Sequence, residues 1–357
     1  MITFLYPYRN REVERIKRSL DSLALQTDQR FKVLFVDYGS KQEMANDVEC
    51  LLQSYSFVNY FYLYTRFQPW NKSKALNFAI KKCDTDYCFV ADVDMIFHPE
   101  LVSLLISKCE ETTITYFKVG FLSKLESSKS LAFNKYQIKF YTNHEATGIS
   151  LLPVKKLKEV QGYDEFFHFW GAEDTDLHNR LRSLGCTIAY FDTAIMMLHQ
   201  WHPNYRKRET KRLNLELQLS GIVEHNHLHL VNNLDKRVTK VNHCDWGNCI
   251  SLEDFDNLNK VAVMKMDNNK TKIDYFLFHQ LPKSKNEILA IEIKENQEVN
   301  SLKHKIKQLM RKKTNRFYDL KTINDMILQH VVSFYHTQPY SYQVGSDLKT
   351  LVFKIKT

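Results

Sequence analysis

The sequence predicts an α/β protein, with a largely parallel sheet over residues 1–220 and an appended α+β domain over 221–357. Three observations predict it. Short apolar runs alternate with helical periods through the first hundred residues, the pattern of βα units. Polar clusters follow the ends of the strand-like runs, where open α/β sheets bind their ligands. From about Gly221 the alternation is lost, Gly almost disappears, and polar and aromatic residues mix.

Ile2–Tyr6 reads as a short buried strand. Glu12–Leu25 follows, with Val13, Ile16, Leu20 and Leu23 at helical spacing. Phe31–Val36 is a second strand, closed by the turn residues Asp37-Tyr38-Gly39-Ser40. A helix over about Lys72–Lys82 precedes the strand Tyr87–Ala91, which ends at Asp92-Val93-Asp94. Further on, Leu177–Leu184 reads as a helix and Thr187–Tyr190 as an apolar strand. After residue 220, Lys260–Met266 and Ile288–Ile293 are strand candidates. Leu302–Arg316 reads as a helix with Leu302, Ile306, Leu309 and Met310 on one face, seven basic residues and no acid.

At 357 residues the chain is long enough for about two domains at roughly 100–200 residues each. Its composition is that of an ordinary globular protein and excludes a disordered or collagen-like one. The net charge is 50 − 41 = +9, of which 29 − 26 = +3 falls before residue 220 and 21 − 15 = +6 after it. The basic excess favours a polyanionic surface for the C-terminal part. It does not make a nucleic-acid binder, because no base-stacking motif or zinc module accompanies it. Cys244 and Cys249 lie near several histidines, but their spacing fits no common zinc pattern. Seven cysteines without a C-x-x-C pair point to free thiols in a reducing compartment. The start MITFLYPYRN has no basic n-region, and no run of 18 apolar residues exists. A cytoplasmic location is therefore expected, with peripheral contact at the inner membrane face through 302–316. A solvated helix packed by its apolar face is the alternative for that segment.

Three clusters carry chemistry. Asp92-x-Asp94 at a strand end offers oxygen ligands to a divalent ion that can bridge a diphosphate, although turn capping uses the same pattern. Trp170-Gly171-Ala172-Glu173-Asp174-Thr175-Asp176 packs three acids ahead of a helix. Such acids either complement the helix dipole or supply a base for a sugar hydroxyl, with Trp170 as an apolar face for the ring. Met196-x-x-His199 places an imidazole, a good transition-metal ligand, three residues after a thioether, a poor soft ligand that more naturally belongs to a core.

Taken in order, five segments resemble the β-1,4-galactosyltransferase group of inverting GT-A glycosyltransferases and the related bacterial chondroitin-type polymerases. Pro7-Tyr8-Arg9-Asn10-Arg11 resembles the P-F-R-N-R nucleotide-binding turn. Pro69–Asn77 (PWNKSKALN) resembles F-N-R-A-K-L-L-N, and Phe89–Asp94 resembles the F-x-x-D-V-D metal motif. Trp170–Arg180 resembles W-G-G-E-D-D-D-x-x-N-R, and Met196–His199 resembles M-x-x-H.

The resemblance implies a GT-A (Rossmann-like) nucleotide-sugar-binding domain and a metal-dependent inverting transfer from a UDP-sugar to a glycan or lipid-linked glycan acceptor. Asp94, Met196 and His199 would hold Mn²⁺ or Mg²⁺. Pro7, Arg9, Arg11, Asp37, Lys72 and Asp92 would bind the nucleotide and diphosphate. Asp174 would be the catalytic base, with Trp170, Gly171 and Glu173 contacting acceptor or donor. The setting would be surface polysaccharide or glycolipid synthesis by a bacterial-type enzyme without the anchor and stem of Golgi relatives. A silent nucleotide-sugar or carbohydrate binder on the same fold is the alternative. Three positions depart from the pattern. Thr175 replaces an acid, Glu145 stands at the tyrosine that influences donor choice, and Tyr38 replaces a second acid beside Asp37. The donor sugar is therefore not inherited.

Overall fold

A computed structural model describes residues 1–203, 210–243, 245–302, 306, 309, 310 and 314–357. They fall into two compact units. The first comprises Met1–Arg66, Trp70–Asn204 and Val223–Asn248, and the second Phe67–Pro69, Tyr205–Ile222 and Cys249–Thr357.

In chain order the first unit runs β1 (Ile2–Tyr8), α1 (Val13–Ala24), β2 (Phe31–Asp37), α2 (Gln42–Leu52), β3 (Val58–Tyr62), α3 (Lys72–Lys82), β4 (Tyr87–Val90) and β5 (Met95–Phe97). It continues with α4 (Leu101–Ser107), β6 (Thr113–Phe117), β7 (Gly120–Leu122), α5 (Lys124–Ser127), β8 (Ile138–Tyr141), β9 (Ser150–Pro153) and α6 (Val154–Glu159). The last elements are α7 (Glu173–Ser183), β10 (Thr187–Phe191), β11 (Met197–His199) and α8 (Ile222–Asp235). A seven-stranded sheet has the order β10-β6-β9-β4-β1-β2-β3. Its strands are parallel except β9, which runs antiparallel to both neighbours. A smaller sheet has the order β5-β11-β7-β8.

β1 is buried along its whole length, as a central parallel strand covered on both faces must be. Phe4 stands at the centre of the core, edge-on to Phe31, Phe89 and Phe97 at 5.2–5.7 Å between ring centroids. α1 covers this core with Ile16, Leu20 and Leu23, the stripe expected from its period. Removing the Phe4 ring would cost about 3–5 kcal/mol.

Two expectations are corrected. The helix expected to begin at Leu177 begins at Glu173, so its three acids lie inside the first turn and face the helix dipole favourably. The single boundary at 220 is replaced by an interleaved one, with α8 and the chain to Asn248 belonging to the first unit. The cause is polar: Asn226, His229 and Asn233 of α8 hydrogen-bond to the 164–171 loop and to α7.

The second unit carries a four-stranded sheet of β12 (Met264–Asp267), β13 (Ile288–Lys294), β14 (Tyr340–Val344) and β15 (Thr350–Lys356) in the order β12-β13-β15-β14. Helices Leu252–Lys260, Lys270–Tyr275 and Leu320–His330 accompany it, an α+β arrangement. Most of the expected basic helix 302–316 lies outside the described residues; Leu302, Ile306, Leu309 and Met310, which are described, are all exposed. Among the described residues no helix is long and apolar enough to cross a membrane. The six described cysteines are free thiols.

Candidate active site

The parallel neighbours β4, β1 and β2 end together, and the polar residues that follow them share one sheet edge. At the end of β2, Asp37 is buried. Its Oδ1 accepts from the Ser40 N–H at 2.7 Å, and its Oδ2 accepts from the Tyr60 hydroxyl at 3.2 Å. Burial outweighs these bonds and the nearby Arg9, and pushes the carboxyl up to about 6. The turn after it needs Gly39, which has φ +71°, because a Cβ there would meet the Arg66 nitrogen at 2.3 Å. After β1, the Arg9 guanidinium donates to the Arg66 carbonyl at 2.8 Å and lies 5.9 Å from the Tyr38 ring centroid. Pro7 is buried in β1 opposite Val36, and the carbonyl of the partly buried Arg11 accepts from the Tyr8 hydroxyl.

The chain after β4 places Asp94 immediately before β5. Antiparallel pairing then sets His199, the last residue of β11, opposite Met95. This pairing brings Asp94 and His199 together. His199 Nε2 lies 3.6 Å from Asp94 Oδ1, and His202 Nε2 lies 3.7 Å from Asp94 Oδ2. One donor atom from each of the three residues fits within a mutual 4.8 Å. His199 stacks on Phe121 at 4.5 Å, and its Nδ1 is buried without a partner. A carboxylate and two imidazoles at separations too long for hydrogen bonds suit a divalent transition ion. Met196 is 7% exposed and belongs to the hydrophobic core cluster that includes Phe117, Val119 and Met197.

Lys72 ties the second group of acids together. Its Nζ lies 3.3 Å from Asp174 Oδ2 and 3.7 Å from both Asp92 Oδ1 and Glu173 Oε1. Burial opposes its charge, but Asp174, Asp92 and Glu173 more than offset this and raise its pKa. Burial also works to raise Asp92, yet Lys72 with His199, His202 and Arg11 holds it below the ordinary carboxylate range. Glu173 goes the other way. Burial, then the adjacent Asp174, pushes it up to about 7 against the pull of Lys72. Asp174 Oδ1 is buried without a partner, and Gly148 leaves room beside Oδ2, where a Cβ would stand 3.1 Å away.

The two asparagines of the PWNKSKALN segment hold Lys72 in place. Asn71 caps α3 by accepting from the Lys74 N–H at 2.8 Å and donates to the Glu165 carbonyl. Asn77 accepts from the Tyr163 N–H and donates to Glu165 Oε1. The loop before α7 is backbone-strained, with Phe169 at φ +64°, Gly171 at +95° and Ala172 at +73°. The left-handed conformations of Phe169 and Ala172 cost roughly 1–2 kcal/mol each. The Asn226 amide steadies that loop by donating to the carbonyls of His168, Trp170 and Gly171 at 3.0, 3.1 and 3.3 Å. Beneath it, Asn233 bridges Asp164 and Asp176, and Asp176 pairs with the fully buried Arg180 at 2.7 Å. The Trp170 side chain is left 38% exposed at the rim.

The geometry thus brings Asp94 with His199, and Lys72 with Asp92, Glu173 and Asp174. His202 and Asn226 join the site without having been expected from the sequence. His202 had a faint signal in its three-residue spacing from His199, whereas Asn226 had none.

Comparison with known proteins bears on the fold that carries these residues. Residues 3–150 match the model of glycosyl transferase family 2, and residues 128–202 match that of the N-terminal domain of galactosyltransferase. Residues 3–202 form a galactosyltransferase-like GT-A domain. Both groups of site residues lie within that GT-A domain. The chain is 27% identical over 126 residues to β-1,4-galactosyltransferase 5 of Sus scrofa and 26% identical to that of Homo sapiens. Each match covers 34% of this chain and 28% of the relative, so the chain spans little more than a quarter of those relatives' length. Among solved structures, S. aureus TarS 1-349 aligns with a TM-score of 0.42 and 17% identity over 56% of this chain and 60% of that one. GalNAc-T7 with UDP, GalNAc and Mn²⁺ aligns with a TM-score of 0.49 and 14% identity over 65% and 48%.

Proposed function

We propose that the chain transfers a sugar, such as galactose or its N-acetylamino form, from a UDP-sugar to a glycan hydroxyl with inversion, assisted by a divalent ion. The observation that carries this reading is the Lys72 cluster. One ammonium joins Asp174, an acid suited to be the base, to Asp92, two residues from the Asp94–His199 pair.

Each residue then has a task. Asp37 and the Tyr38 turn receive the base end of the nucleotide, and Pro7 fixes the adjoining backbone. Arg9 and Arg11 offer planar forks that can donate paired hydrogen bonds to the diphosphate. Asp92 faces the ribose or donor sugar. Asp94 and His199 would hold Mn²⁺, which when bound neutralises charge on the leaving diphosphate. Trp170 gives the acceptor ring an apolar face, while Gly171 and Glu173 line the same mouth. Asp174 takes the acceptor proton as the hydroxyl attacks the anomeric carbon. Direct displacement turns an α-linked donor into a β-glycoside. Surface polysaccharide or glycolipid synthesis is the setting this chemistry suits.

The deciding experiment screens UDP-sugars for Mn²⁺-dependent release of UDP, with and without glycan acceptors. Turnover that disappears in Asp94→Ala and Asp174→Asn supports the reading. UDP binding without turnover in any combination would favour a silent binding protein instead.

The exposed Leu302, Ile306, Leu309 and Met310, in a stretch whose sequence carries seven basic residues, favour an anionic membrane surface as the meeting place with a lipid-linked acceptor. Flotation with acidic vesicles tests this, and equal recovery with neutral ones would end it.

A further inference from the structure

The geometry points to His202, not Met196, as the third protein ligand of the ion, giving a set of one carboxylate and two imidazoles. This rests on the metal-assisted reading above and goes beyond it, because it fixes the donor atoms and therefore which ions the site prefers.

Four observations carry it. First, the Asp94 carboxylate has an imidazole nitrogen on each oxygen, His199 Nε2 at 3.6 Å and His202 Nε2 at 3.7 Å. Neither separation is a hydrogen bond. Ligands about 2.0–2.2 Å from a shared ion lie roughly 3.0–3.6 Å from one another, so both separations are close to the edges of a coordination polyhedron. Second, His202 is oriented for the task. Its Nδ1 lies 3.0 Å from the Pro203 carbonyl. A carbonyl only accepts, so the proton is on Nδ1 and the Nε2 lone pair is free on the side of Asp94. An imidazole whose second nitrogen donates to a backbone carbonyl is the usual arrangement of a ligating histidine. Third, the His199 and His202 rings are neighbours, 5.1 Å apart, and the partly exposed His202 leaves the site open to solvent and substrate. Fourth, Met196 has a sufficient role elsewhere. Its side chain is part of the core under β11, and its carbonyl accepts from the His98 N–H at 2.9 Å.

Replacing a soft thioether by an imidazole changes the ion preference. Two neutral nitrogens and one carboxylate bind divalent first-row ions in the order Mn²⁺ below Co²⁺, and bind Mg²⁺ poorly, since Mg²⁺ prefers oxygen. Asp94, His199 and His202 leave the remaining positions for diphosphate oxygens and water.

The test reads metal binding directly, on the full chain with and without UDP. Mn²⁺ affinity is measured by titration calorimetry and by loss of the free-ion EPR signal, and CoCl₂ is added to follow its visible d–d bands. The expected result is that His202→Ala weakens Mn²⁺ binding by more than about 100-fold, beyond the roughly 10–100-fold that loss of an outer-shell partner costs, and alters the cobalt spectrum. Met196→Leu, which keeps the core filled, should leave affinity within about twofold and the spectrum unchanged. His202→Gln provides a second variant, and thermal melts confirm that each variant is folded. A loss of binding in Met196→Leu with His202→Ala unaffected would overturn the assignment while leaving metal-assisted transfer intact. A wild-type chain that binds neither ion, even with UDP, would overturn both.

Discussion

The Lys72 ammonium stands 3.3 Å from the Asp174 carboxylate and reaches Asp92 and Glu173 at 3.7 Å with the same nitrogen. One cation therefore keeps three acids in a small space. Without it Asp92 and Glu173 would lose the neighbour that pulls their carboxyls down, and the charge around the proposed base would change. Lys72→Met should therefore lower kcat about 100-fold near pH 7, with part of the loss recovered at higher pH. Lys72→Arg keeps the charge and should lose much less. A pH–rate profile that falls without shifting would show that Lys72 acts on the diphosphate alone.

Asp174→Asn preserves shape while removing the carboxylate proposed as the base. UDP-sugar affinity should stay within about threefold, and transfer to acceptor should drop about 10²–10⁴-fold, the contribution of a positioned base. Calorimetry for binding and product analysis for transfer separate the two effects. Comparable losses in both would make Asp174 a donor-binding residue.

Glu173 predicts a pH dependence of its own. Its folded-state pKa is raised to about 7, first by burial and then by Asp174. The proton it holds contributes stability that is full below about pH 4.5 and is lost as the pH rises through 7. The wild-type melting temperature should therefore fall relative to Glu173→Gln between pH 5.5 and 8, and parallel curves for the two proteins would refute the assignment. Glu173 adjoins Asp174, so its own ionisation changes the charge beside the proposed base, and the wild-type rate should carry an inflection near pH 7 that Glu173→Gln lacks.

Much of this site was legible in the sequence because parallel sheets deliver their chemistry at strand ends. Arg9, Asp37 and Asp94 each follow an apolar run, and the runs themselves mark the edge on which they meet. The acid run at 173–176 was legible by density. What could not be read came from pairing at a distance. The antiparallel register of β5 with β11 turns His202 toward Asp94, and no local pattern encodes that register. The same applies to α8. Its histidines and asparagines look like a polar surface helix, yet Asn226, His229 and Asn233 bond into the 164–171 loop and α7, which is why a boundary at 220 cut through the first unit. Met196 shows the reverse difficulty, since a thioether at a motif position and one in a core are identical in sequence.

Asp37 should limit stability. Burial raises it to about 6, so its ionised form is held at a cost above that pH. A raised carboxyl pKa stabilises the fold below about pH 4 and loses that contribution by pH 6. A shift of about two pKa units corresponds to up to about 3 kcal/mol. Asp37→Asn keeps an oxygen for the Ser40 N–H and should raise the melting temperature at pH 8 but not at pH 4, while weakening UDP binding. A variant equally stabilised at both pH values would point to packing rather than charge.

Asn226 tests whether α8 serves the active site or merely covers it. Its amide nitrogen is the shared donor for three carbonyls of a loop that passes through left-handed backbone at Phe169, Gly171 and Ala172. Such a conformation persists only where its surroundings enforce it. Asn226→Ala removes the shared donor, at about 1 kcal/mol of stability. Asn226 touches none of Lys72, Asp94 or His199 among the described contacts, so Mn²⁺ and UDP affinity should hold. Because the loop carries Trp170 and leads into Glu173 and Asp174, acceptor KM should rise and kcat should fall about tenfold, the scale expected when a reacting group is misplaced by a fraction of an ångström. Asn226→Asp keeps the size but replaces the donor with an acceptor facing other acceptors, and should be worse than alanine. If both variants lose only stability, with acceptor KM and kcat unchanged in the folded fraction, the clamp is structural and the loop finds its shape without it.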